Sequence, residues 1–182
     1  MPNWCSNEMH LEGPAETVNQ VWENAKQVEG LLEAICPLGE WEYNKASSTW
    51  GTKWDVELTD LEYTETADGK IGTISGGFDS AWAPPTQAFE YFLSNNPDCE
   101  AELLFYEGGN DFCGTLSTGE LTTSDLGIKF FEQDSVGKQL DETFGIVDMM
   151  YEHEEELHDE ILQEPITLED PEEGLVITKG TI

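Results

Sequence analysis

Residues 53–78 read KWDVELTDLEYTETADGKIGTISGGF. Trp54, Val56, Leu58 and then Leu61 and Tyr63 place apolar side chains at the two-residue period of a strand. Ala67-Asp68-Gly69-Lys70 supplies a turn and Ile71 to Phe78 the returning strand, so the segment predicts an antiparallel hairpin. Upstream, Asn7 to Glu12 alternates in the same way and stops at Gly13-Pro14, which predicts a first strand. Between that strand and the hairpin, Val18, Val21, Trp22, Ala25, Val28, Leu31, Leu32 and Ile35 recur at steps of three and four, the period of one amphipathic helix. Cys36-Pro37 and Gly39 end it. Downstream, Pro84-Pro85 opens a second helix through Ala88, Phe89, Phe92 and Leu93, Asn95-Asn96-Pro97 stops it, and Glu100 to Glu107 forms a further strand. Strand, helix, two strands, helix, strand is the split βαβ order of a ferredoxin-like α+β fold, an antiparallel sheet with helices on one face. Leu116 to Thr123 reads as a short extra strand, and the pattern then changes. Residues 1–123 are expected to form this domain and 124–182 an acidic helical extension with a C-terminal hairpin.

The charge narrows the function. Among 182 residues, 39 are acidic and 7 basic, all of them lysine, for a net charge of −32 and a pI near 4.1. Direct binding of nucleic acid or of an anionic membrane needs a cationic patch that displaces counterions, and seven scattered lysines do not assemble one. With 38% hydrophobic and 10% aromatic residues, the chain has the material for one core and does not read as a disordered acidic tail. No apolar run reaches bilayer length and no basic region followed by an apolar stretch opens the sequence, so a cytoplasmic protein is expected. Cys5, Cys36, Cys99 and Cys113 form no C-x-x-C pair, which leaves neither a zinc site nor a redox motif and predicts buried thiols.

Catalytic signatures are equally sparse. His153 and His158 lie five apart, about 140° round a helix, whereas a zinc-protease pair needs a spacing of four. There is no phosphate-binding loop, no dinucleotide fingerprint, no nucleophile elbow and no EF-hand spacing. His10 reads as a surface or edge residue of the first strand. Neither an enzyme nor a cofactor or metal is expected.

Four segments carry a family likeness: Met1-Pro2-Asn3-Trp4-Cys5-Ser6-Asn7; Trp50-Gly51-Thr52-Lys53-Trp54-Asp55; Phe78-Asp79-Ser80-Ala81-Trp82-Ala83-Pro84-Pro85; and Tyr106-Glu107-Gly108 leading to Phe112-Cys113-Gly114. In that order, and over residues 1–120, they resemble the YubB ferredoxin-like family of bacteriophages and conjugative plasmids. The resemblance implies a ferredoxin-like fold and a mobile-element origin. It brings no activity with it, and the acidic segment after residue 124 lies outside it.

Read physically, Trp50, Trp54 and Trp82 close one end of the sheet, each burying area and asking for an acceptor that Asp55 or Asp79 could supply. The functional alternative is an aromatic-walled pocket that holds a planar ligand, with Asn3, Asn7, Lys53, Asp55 and Asp79 on its rim.

The segment from Asp141 to Glu173 holds 14 acidic residues and no lysine. At 100° per residue, Asp141, Glu142, Asp148, Glu152, Glu155, Glu156, Asp159, Glu160 and Glu164 fall within one half of a helical wheel, and Glu154 alone strays. Leu140, Phe144, Val147, Met150, Tyr151, Leu157, Ile161 and Leu162 collect opposite. With Ser135 as N-cap and Pro165 as stop, one amphipathic helix is expected over 136–163, about 40 Å long. Acid pairs four apart cost about 0.2–0.5 kcal/mol each, so stability did not select this face. Its linear density, one charge per about 3.8 Å, lies close to the roughly 3.4 Å per phosphate of one DNA strand. Three explanations compete for the acidity: mimicry of a polyanion, a solvated face that serves solubility or high-salt life, and calcium held loosely among clustered carboxylates. The apolar stripe would dock on the sheet or on a second copy, a homodimer. After Pro165, Ile166-Thr167-Leu168 and Leu175-Val176-Ile177-Thr178 predict a terminal hairpin.

These features point to a phage- or plasmid-borne inhibitor without catalysis. Its acidic helix would fill the basic groove of a host nucleic-acid-binding protein: a restriction, CRISPR, recombination or transcription factor. The alternative is an accessory ligand- or protein-binding module that works through Trp50, Lys53, Trp54, Asp55, Asp79 and Trp82.

Overall fold

A computed structural model describes residues 3–125, 127–153, 167–169 and 176–178. Contacts divide the chain into two compact units, Met1–Phe144 and Gly145–Ile182.

The first unit is a mixed α/β structure built on a six-stranded antiparallel sheet. Its centre is β1 (Trp4–Pro14), longer at both ends than the alternation from Asn7 to Glu12 predicts. There follow α1 (Ala15–Val28), α2 (Leu31–Ile35), α3 (Tyr43–Thr49), the hairpin β2 (Leu61–Glu65) and β3 (Ile71–Ala81), α4 (Thr86–Asn95), β4 (Glu100–Glu107), β5 (Phe112–Ser117), β6 (Glu120–Asp125), α5 (Ile128–Gln133) and α6 (Ser135–Phe144). The strands lie in the order β2-β3-β1-β4-β5-β6. Leu11 faces Ile74 on one side of β1 and Ala101 on the other. Alternation along these strands sends Cys5, Met9, Leu11, Ile74, Leu103 and Phe105 to one face, where they meet Val18, Val21, Leu31, Leu32, Phe89 and Phe92 in the main core.

Several expectations need correction. The periodic run from Val18 to Ile35 is two helices, because Glu29 adopts a left-handed conformation (φ 58°) whose N–H caps the Ala25 carbonyl, and Gly30 then turns the chain. The strand expected from Lys53 begins only at Leu61. Residues 51–60 instead form a loop laid over α2, where the Val56 carbonyl accepts from Leu31 N (3.0 Å). Tyr43–Thr49 is a helix that no periodic run announced. Leu116 to Thr123 is not one strand but the junction of β5 and β6, turning at Thr118-Gly119.

Helices cover both faces, not one. Leu103-Leu104-Phe105 is apolar without interruption, the signature of a strand buried on both sides. Opposite the main core, α6 packs on β4 and β5: Gln139 donates to Glu102 (3.2 Å) and the Phe144 ring stacks on Tyr106 with centroids 6.2 Å apart. Among the described residues of this unit, no helix covers the β1, β2 and β3 side of that second face.

The helix expected over 136–163 is interrupted. Its N-cap is Asp134, whose Oδ1 accepts from Val136 N (2.8 Å) and Gly137 N (3.4 Å), so Ser135 lies inside the first turn. It ends at Phe144, and Gly145 takes a φ of 66°. In the second unit residues 146–153 are helical, and β7 (Thr167–Glu169) pairs with β8 (Val176–Thr178) as the expected hairpin. Among the described residues no helix is long and apolar enough to cross a membrane.

Candidate functional site

The six residues of the expected aromatic pocket separate into structural and exposed groups. Trp50 is 3% exposed, and its indole N–H donates to the Cys36 carbonyl at 2.8 Å, so neither Asp55 nor Asp79 is its acceptor. Asp55 is committed as well. Its Oδ1 accepts from Leu32 N (2.6 Å) and Val56 N (2.7 Å) and its Oδ2 from Glu33 N (3.0 Å), capping the start of α2. Burial pushes this carboxyl above the ordinary aspartate range, against the downward pull of those three donors. Gly30 makes room for it, since a Cβ there would lie 2.2 Å from Oδ2. Asn7 also leaves the expected rim: it is buried on the core face and donates to Cys5 O (2.7 Å), Phe78 O (3.2 Å) and Ser80 Oγ (2.9 Å). Beside it, burial pushes the Cys5 thiol up to about 12, which leaves no thiolate nucleophile at neutral pH.

The remaining members stay at the surface. Trp54 is 37% exposed and leans on Trp4, itself 51% exposed, with ring centroids 5.9 Å apart and planes inclined by 44°. Lys53 Nζ lies 4.3 Å from the Trp54 ring centroid and 5.6 Å from that of Tyr43, a cation–π arrangement. Trp41 is exposed nearby and donates its indole N–H to the Lys53 carbonyl (3.1 Å). Trp82 is 45% exposed at a φ of 75°, held by its backbone N–H on the Asn3 carbonyl (2.9 Å). Asp79 is exposed and accepts a hydrogen bond from Ser6 Oγ (3.1 Å).

Next to this aromatic group the sheet face is hollow. A cavity of about 430 Å³ is lined by Trp4, Trp54, Asp55, Glu57, Thr59, Asp60, Gly77, Phe78, Asp79 and Ala81. A second hollow of about 380 Å³, reaching Ser6, Glu8 and Phe144, shares Asp60, Gly77, Phe78 and Asp79 with it. Trp4, Asp60 and Gly77 were not singled out from the sequence as site residues. The signal was the pair Gly76-Gly77 inside a strand, which marks a close backbone approach or a place left open.

Further along, the same face is acidic. Register and alternation bring Glu8 and Glu12 of β1, Glu62 of β2, Asp79 of β3, and Glu100 and Glu102 of β4 to one side, with His10 as the one basic residue among these strand positions. Glu12 faces Glu100 directly, and both are exposed. Like charges opposed across a ladder are destabilising. Glu100→Lys is therefore expected to raise the unfolding free energy by about 0.2–1 kcal/mol, read from urea melts. An unchanged or lowered midpoint would show that the pair does not repel.

Of the acidic helix residues, Asp141 is half-buried in α6 and Glu142 is exposed; in the second unit Asp148 and Glu152 are exposed. The break at Gly145 means that these four do not share a single helical wheel. Glu155, Glu156, Asp159, Glu160 and Glu164 lie outside the described residues. Among the described residues, no cluster of three His, Cys, Asp or Glu is arranged to hold a metal ion.

No family model and no curated protein matches the chain. Among solved structures, it is similar to the crystal structure of a protein api92 from Yersinia pseudotuberculosis, of the DUF1281 family model, at 17% identity and a TM-score of 0.32. The similarity covers 47% of this chain and 30% of that one, so this chain matches less than a third of its length.

Proposed function

We propose that this chain is a non-catalytic acidic inhibitor that competes with nucleic acid for the basic groove of a host protein. Restriction, CRISPR, recombination and transcription factors are the candidate targets. The observation that carries the reading is the acidic side of the sheet opposite the main core, where Glu8, Glu12, Glu62, Asp79 and Glu100 share one face of four neighbouring strands, Glu12 directly opposite Glu100, with no lysine at the strand positions of that face. A basic groove meeting this surface would release counterions from both partners, the term that dominates its affinity for nucleic acid. The acids of residues 141–164 add to the negative charge of the chain. The strand order β2-β3-β1-β4, with its two crossovers through helices, supports a ferredoxin-like reading of the domain, to which β5 and β6 add a hairpin. A phage or plasmid origin follows from the likeness to the YubB family, and the host cytoplasm is then its place of action.

The test is competitive capture. The tagged full chain is expected to retain nucleic-acid-binding proteins from a host lysate at low salt, and duplex DNA or raised salt to displace them. Reversing Glu8, Glu12, Glu62 and Glu100 to lysine together should abolish capture with the fold retained. Capture that survives the reversal, or that DNA does not displace, would sink the proposal.

The aromatic end supports a second reading, a module that docks a ligand or protein there. Trp4, Trp41, Trp54 and Trp82 are exposed large aromatics at one end of the sheet, a concentration that marks interaction surfaces. The buried Trp50 has no part in it.

A further inference from the structure

We propose that the hollow between Trp4, Trp54 and Asp79 is a pocket for the guanidinium end of an arginine side chain presented by a basic protein partner. The inference rests on the acidic, partner-binding reading of this face and supplies its anchor.

Four observations carry it. The first is space. The cavity of about 430 Å³ falls in the range of small-ligand sites and holds one extended side chain. It is open at Gly77 because that position has no side chain; a Cβ there would meet only Glu8 Oε2, at 3.2 Å, and Asn7 O, at 3.6 Å. The second is the wall. Trp4 and Trp54 are inclined to one another at 5.9 Å and keep much of their ring area in solvent, where burying apolar surface against a partner is favourable.

The third is charge. Glu57, Asp60 and Asp79 line the cavity and are exposed, no lysine or histidine is among its described lining residues, Lys53 approaching only the Trp54 ring, and Asp55 is already spent on α2. Anionic ligands are repelled, and a neutral planar ligand would desolvate these carboxylates without compensation. The fourth is precedent within the molecule. The Trp54 ring already holds the Lys53 ammonium at 4.3 Å, so its electron-rich face is used for cations.

Arginine fits better than lysine. Its planar guanidinium stacks on indole rings, is more weakly hydrated than an ammonium and can offer paired N–H donors to Asp60 and Asp79. Each loss of one such contact is read as a fold-change in affinity.

The experiment titrates the full chain with the blocked tripeptide acetyl-Gly-Arg-Gly-amide, following tryptophan fluorescence and heat. The matching citrulline and lysine peptides are the controls. Saturable binding of the arginine peptide is expected, with weaker binding of lysine and none of citrulline. Gly77→Val, which fills the hollow at a position of ordinary strand backbone, should weaken binding by about tenfold or more, and so should Asp60→Asn with Asp79→Asn. Citrulline binding equal to arginine, lysine binding equal to arginine, or wild-type affinity in both variants would each overturn the pocket. Tripeptide binding without partner capture would sink the inhibitor reading and uphold the pocket; partner capture without tripeptide binding would do the reverse.

Discussion

Alanine at Trp50 is expected to lower the unfolding free energy by about 3–5 kcal/mol, the range for removing a large aromatic side chain from a core. The indole is enclosed in the main cluster with Ala46, Ala88 and Phe89, so truncation leaves a void that helices on two sides cannot close without moving. It also strips the Cys36 carbonyl of its donor at the end of α2. Trp54→Ala, four residues on, should cost less than about 1 kcal/mol, because that ring is at the surface and its loss opens no cavity. Urea melts of the two variants check the contrast, and the tripeptide titration should order them the opposite way: Trp54→Ala binds poorly, and whatever Trp50→Ala remains folded binds normally. Equal destabilisation by both would mean that the two indoles share one environment.

The second large effect is expected at Gly76. Its φ of 136° is essentially restricted to glycine, and a Cβ there would sit 2.2 Å from the Asp60 carbonyl oxygen, a backbone atom that cannot swing aside. Gly76→Ala combines left-handed strain of about 1–3 kcal/mol with an overpacking cost of similar size, a total of about 2–6 kcal/mol. Gly77→Val, at the adjoining residue, should change stability by less than about 1 kcal/mol, since it replaces a strand glycine by a β-branched residue against a movable glutamate. A melting experiment on both variants settles the point. Tolerance of alanine at 76 would show that the hairpin can shift its register against β1.

Much of the sheet was legible because its strands are periodic on one face. The hairpin turn at Ala67 to Lys70, the second helix after Pro84-Pro85 and the strand Glu100 to Glu107 follow from turn residues and alternation alone. The errors share a cause: periodicity reports which residues are buried, not whether the chain runs straight between them. Val18 to Ile35 kept its helical rhythm across Glu29-Gly30 because both short helices bury the same face. Trp54, Val56 and Leu58 alternated as a strand does, although they belong to a loop held by hydrogen bonds to α2. Residues 136–163 looked continuous because a wheel projection does not register a left-handed glycine at 145.

The candidate site was half legible. Exposed tryptophans and an aspartate at one end of the sheet were singled out, but burial divides chemically identical residues, and composition cannot show that Trp50 is core and Trp54 surface. The acidic sheet face was hidden for another reason. Its carboxylates are dispersed from Glu8 to Glu102 and come together only through the β1 pairings with β3 and β4. An acidic helix is contiguous in sequence and drew attention first.

The contact between Gly30 and Asp55 ties two distant positions into one unit of inheritance. Any side chain at 30 would occupy the volume of the carboxylate that starts α2, and any other residue at 55 would leave that glycine serving an empty corner. A side chain larger than hydrogen at 30 therefore becomes tolerable only if the carboxylate at 55 gives way, and the last residue of the W-G-T-K-W-D string serves the start of α2 even though the same residue borders the hollow.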